Sequence, residues 1–132
     1  MSKIEEIKQF IFLITKQIDI LKSIQKVMME IMVRQTCREK LLKRNEENLI
    51  VAVIKAESGM NPNAINKNDN QTIDYGLCQF NDYWYWTREK IISPDIALNN
   101  PKKAIEVMID QYKKGRLNNW VTYQTGIYKK YL

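Results

Sequence analysis

The chain has 132 residues, 45% of them apolar, with 21 Lys and Arg against 15 Asp and Glu for a net charge of +6. Its length and apolar content predict one domain over residues 1–132, with a long helix and connection in 1–45 and the core in 46–132. The absence of histidine excludes Ser–His and Cys–His nucleophiles and removes the commonest zinc ligand, and two distant cysteines make no metal site, so no metal or other cofactor is expected.

From the amino terminus, Ile4, Ile7, Ile11, Ile14, Ile18, Leu21 and Met28 alternate spacings of three and four, broken only by Gln25. No Gly or Pro interrupts residues 3–34, so the stretch predicts a long amphipathic helix. Phe10, Leu13, Ile20, Ile24, Val27, Ile31 and Met32 widen the stripe beyond a narrow coiled-coil seam, which predicts packing against a globular body. Surplus length leaves self-association or a protein partner as the alternative use of this helix. The apolar run Phe10 to Ile14 is too short for a signal or a membrane span, and Met1-Ser2-Lys3-Ile4-Glu5-Glu6 has no basic leader. With Met1 as the start, the expectation is synthesis in the cytoplasm without a signal peptide and no stable membrane insertion.

Asn45, followed by Glu46 and Glu47, predicts the cap of a second helix. That helix runs through Ile50, Val53 and Ile54 to Glu57, and Gly59 and Pro62 stop it. Glu57 therefore shares a face with three aliphatics and sits at the negative end of a helix dipole. Both settings disfavour its charged form, and a Glu that keeps its proton is suited to general acid catalysis.

Short β-prone pieces, Ala64 to Asn66 and Thr72 to Tyr75, flank an Asn/Asp run and predict a small hairpin. Asp74 lies in that polar hairpin, whose amides suit an ionised carboxylate. Next come Trp84, Tyr85 and Trp86, three adjacent aromatics that cannot all face inward, which leaves Trp84 for a wet cleft. Ser93-Pro94 and Asn100-Pro101 each predict the start of a helix, the second ending near Gly115. The pairs Lys102-Lys103, Lys113-Lys114 and Lys129-Lys130 are scattered, with no nucleic-acid module around them, and predict a solvated basic face and no nucleic-acid partner. Without a histidine to activate it, Cys78 reads as a small buried hydrophobe.

A protonated Glu57 and an ionised Asp74 make the pair of carboxyl groups that cleaves glycosidic bonds, the division of labour known from lysozyme. The surrounding residues carry a resemblance. Glu57-Ser58-Gly59-Met60-Asn61-Pro62-Asn63-Ala64 resembles the catalytic-Glu motif of lytic transglycosylases. Thr72-Ile73-Asp74-Tyr75-Gly76-Leu77-Cys78-Gln79-Phe80-Asn81 resembles the active-site hairpin of c-type lysozymes, in which the catalytic Glu and Asp stand seventeen positions apart, as Glu57 and Asp74 do. Asn119-Trp120-Val121 is similar to the segment whose Trp packs against the catalytic Glu.

The chain is thus identified as a member of the lysozyme-like superfamily over residues 46–123. The resemblance implies a mainly α (α+β) lysozyme-like fold with the hairpin at the cleft. It implies Glu57 and Asp74 as catalytic residues, and Asn66, Asn68, Gln79, Asn81, Trp84, Tyr85 and Trp120 as the substrate-binding set. It also implies a muramidase that hydrolyses the β-1,4 bond between N-acetylmuramic acid and N-acetylglucosamine of peptidoglycan with retention, acting on the cell wall after release as a phage-type endolysin would. Two departures bear on this. The eight-cysteine framework of secreted c-type lysozymes is absent, and Val121-Thr122-Tyr123-Gln124-Thr125-Gly126 stands where transglycosylases carry a Tyr-Asn-Ala-Gly-like segment. The alternatives are a lytic transglycosylase giving 1,6-anhydro products, and a non-catalytic glycan- or protein-binding module.

Overall fold

The computed structural model describes residues 1–132. Helix α1 (Lys3–Glu39) opens the chain, started by a capping box in which Ser2 Oγ accepts from the Glu5 N–H and Glu5 reaches back to the Ser2 N–H. Leu41, with φ of 64°, turns the chain into α2 (Arg44–Ser58). A three-stranded antiparallel sheet follows, in the order β1 (Ile65–Lys67), β2 (Ile73–Tyr75) and β3 (Phe80–Asn81). A π-helical turn spans Tyr83–Arg88, then come α3 (Pro94–Asn99), α4 (Pro101–Lys113) and the short α5 (Val121–Gln124), with 3-10 turns at Leu117–Asn119 and Ile127–Tyr131. The fold is mainly helical, as the sequence predicts.

Three local features differ from the sequence reading. The second helix starts at Arg44, ahead of the expected cap Asn45, because Glu46 Oε1 accepts from the Lys43 N–H at 2.8 Å and satisfies the helix start from one turn in. The hairpin gains a third strand, only two residues long. The larger difference is α1. Only its C-terminal part meets the body, burying Val33, Thr36 and Cys37, whereas the apolar residues from Ile4 to Met28 stand exposed. No helix is long and apolar enough to cross a membrane.

The core explains this division. Ile50, Val51, Val53 and Ile54 of α2 and Ile105, Met108 and Ile109 of α4 fill the interior, together with Leu77, Phe80 and Trp120. The body reaches up α1 only as far as Met29 and Met32, which pack against the core, so the apolar residues before them stand exposed. Charge fixes the junction: Glu47 is almost fully buried and accepts from Arg38 Nε at 2.9 Å and Arg34 Nη1 at 3.1 Å, while Glu30 pairs with Lys55 at 2.7 Å. Burial opposes ionisation of Glu47, but the two guanidinium groups outweigh it and hold its carboxyl below the usual range.

Candidate active site

Glu57 sits in the last turn of α2, which ends in the left-handed Gly59 (φ 62°) as the sequence predicts. Ser58 Oγ donates to the Leu77 carbonyl at 2.6 Å, which ties this helix end to the segment after β2. Thr122 Oγ1 donates to Glu57 Oε1 at 2.7 Å. Burial pushes the Glu57 carboxyl above the ordinary glutamate value; the hydrogen bonds from Thr122 oppose that shift, and the charge of Asp74 adds to it.

Asp74 is the central residue of β2, paired with Asn66 of β1 and Asn81 of β3. Asn81 Nδ2 donates to Asp74 Oδ1 at 2.8 Å and to Thr72 Oγ1 at 2.9 Å. Its Oδ1 accepts from the N–H groups of Tyr83 and Trp84, so one amide couples the carboxylate to the aromatic turn. Gly76 lets β2 approach α3: its φ is 79°, and a Cβ there would lie 1.9 Å from the Ala97 carbonyl oxygen.

Glu57 and Asp74 line one cleft of about 810 Å³ with Asn68, Gln79, Asn81, Trp84, Tyr85 and Trp120. Of the nine residues expected at the site, only Asn66 stays outside the lining: its side-chain amide donates to Gln79 Oε1 at 2.7 Å. Gln79 is itself committed, since its Nε2 donates to the carbonyls of Ala64 and Gly76. Both amides brace the sheet, Gln79 from the wall of the cleft. Trp120 is buried against Phe80 and Tyr85, and its indole N–H donates to the Cys78 carbonyl at 2.7 Å. Tyr85 is buried too, while Trp84 stays half exposed with the Arg88 guanidinium 4.4 Å above its ring. Cys78 is wholly buried, and burial pushes its thiol far above the ordinary value, so it is no nucleophile.

Sequence reasoning missed Asp69, Asn70, Thr72, Asn118, Asn119, Thr122 and Gln124, which also line the cleft. Thr122 matters most, and a single sequence carries little to mark it beyond its place two residues after Trp120. No Lys or Arg lines the cleft, so the net positive charge of the chain lies elsewhere on its surface.

The fold is lysozyme-like. A lysozyme from Litopenaeus vannamei matches at a TM-score of 0.51 and 22% identity, over 73% of this chain and 83% of that one. The family described as the Transglycosylase SLT domain matches residues 36–127, and the chain belongs to it, a family of glycan-cleaving domains that bind peptidoglycan strands. Protein IpgF of Shigella flexneri is 26% identical over 107 residues, covering 64% of this chain and 70% of that protein.

Proposed function

We propose that this chain is a lytic transglycosylase that cleaves the β-1,4 bond between N-acetylmuramic acid and N-acetylglucosamine. The observation that carries the reading is Glu57, a carboxyl group whose burial favours its proton, lining a polar cleft in a chain of the SLT family. Glu57 protonates the leaving glycosidic oxygen as the C1–O bond breaks, and the acetamido oxygen of the muramic residue closes onto C1. The carboxylate left behind then takes the proton of that sugar's own 6-hydroxyl, whose oxygen displaces the acetamido oxygen. The product is a 1,6-anhydro sugar and no water is consumed.

Asp74 favours a second reading, hydrolysis with retention. It lines the same cleft as Glu57 and is held by Asn81, so it could stabilise or attack the developing cation before water completes the reaction. The two readings part on this residue. Under the first, Asp74→Asn keeps most of the turnover of purified peptidoglycan while Glu57→Gln abolishes it; loss of turnover in both variants would favour the hydrolase.

A further inference from the structure

The projecting half of α1 is the largest surface that the cleft does not use. From Lys3 to Met28 every residue except Gln25 is exposed. Between Ile4 and Ile31, fourteen large apolar side chains stand 39–66% exposed. An apolar face this long, about 39 Å of helix at the usual rise, marks an interaction surface.

Its pattern says what covers it. Ile4, Ile11, Ile18 and Gln25 recur every seven residues, as do Ile7, Ile14, Leu21 and Met28. A straight helix drifts by about 20° per heptad against such a repeat. A flat bilayer would therefore lose the series along its length, whereas helices supercoiled around one another keep it at their interface. Isoleucine at both core positions of the first two heptads, Ile4 with Ile7 and Ile11 with Ile14, favours more than two strands, and the apolar flanking residues Phe10, Ile24 and Ile31 widen the seam in the same sense. Gln25 sets the orientation. In a parallel, in-register bundle the copies of its amide meet each other and hydrogen-bond, whereas an antiparallel pairing sets each against an aliphatic side chain and leaves it unsatisfied.

We infer that Lys3–Met28 is an assembly helix, which joins this chain to further copies of itself in a parallel bundle of three or more. The lower part of α1 stays on the body through Val33, Thr36, Cys37 and the Glu47 ion pairs, so the bundle carries its clefts at one end.

Light scattering on the full chain tests this, with the protomer mass of 15.7 kDa as the unit. The expected result is a particle of three or more protomers, and a monomer for Ile11→Asp/Ile18→Asp with unchanged near-UV circular dichroism, since neither residue touches the core. Oxidised Gln25→Cys should cross-link between copies, the native cysteines both being buried. A monomeric wild type, a double variant that keeps the assembled mass, or an assembled Gln25→Cys that fails to cross-link would each overturn the proposal. So would a monomer that floats with phosphatidylglycerol vesicles through the same residues.

Discussion

Thr122 Oγ1 donates a 2.7 Å hydrogen bond to Glu57 Oε1, so the first turn of α5 reaches the carboxyl group at the end of α2. A donor favours the charged form, so this contact limits how far burial raises the carboxyl. Thr122→Val should therefore move the basic limb of the kcat/KM pH profile toward higher pH, with a rate loss of about tenfold where Glu57 must give up its proton as the acid. Thr122→Ser should restore both. A basic limb that stays in place in Thr122→Val would remove Thr122 from this role.

Glu57→Gln should lower kcat by roughly 10²–10⁴-fold, the usual worth of a positioned acid and base. Its effect on stability runs the other way. The folded-state value of Glu57 is raised, so its favourable contribution is complete below the unfolded value and is lost as pH rises through the folded one. The variant should melt above the wild type at about pH 8 and match it at about pH 3. Thermal unfolding across that range reads the difference, and a constant gap would contradict the assignment.

Glu47 has the opposite sign. Arg38 and Arg34 hold its carboxyl down, so its stabilisation is present above the unfolded value and fades as pH falls through the folded one. Glu47→Ala should cost about 1–3 kcal/mol, the penalty for unpairing groups bonded to a charge, softened because Arg38 keeps solvent contact. Urea unfolding at neutral pH and near pH 3 measures both effects, and the cost should shrink in acid.

Trp84 is the exposed aromatic of the cleft lining. Trp84→Ala should raise KM for glycan strands several-fold with little change in melting temperature, since the ring is not in the core. Trp120→Ala should instead destabilise by about 3–5 kcal/mol, because it empties the site beside Phe80 and Tyr85. Equal effects on folding from the two variants would contradict their placement.

How much of this was legible in the sequence follows from the range of each interaction. Helix ends were readable where the cap is local: Ser93 and Asn100 each accept from a backbone N–H three residues on, and Gly59 takes the left-handed end of α2. The Glu57 setting was readable because its aliphatic neighbours lie on the same helix face. Thr122 was not, because its partner is 65 residues away in sequence. Asn66 lies outside the cleft lining although the sequence groups it with the other amides, since periodicity says nothing of whether an amide faces a cleft or braces a turn. The apolar stripe of α1 was visible in full, but whether it meets the body depends on where the core closes, which is set by α2 and α4.

The most direct test of the central claim is mass spectrometry of the muropeptides released from purified peptidoglycan by the wild type and by Glu57→Gln. Transglycosylation predicts products lighter by one water than their reducing-end counterparts, absent with the variant. Reducing-end products that depend on Glu57 would contradict the transglycosylase reading and give Asp74 the hydrolytic role.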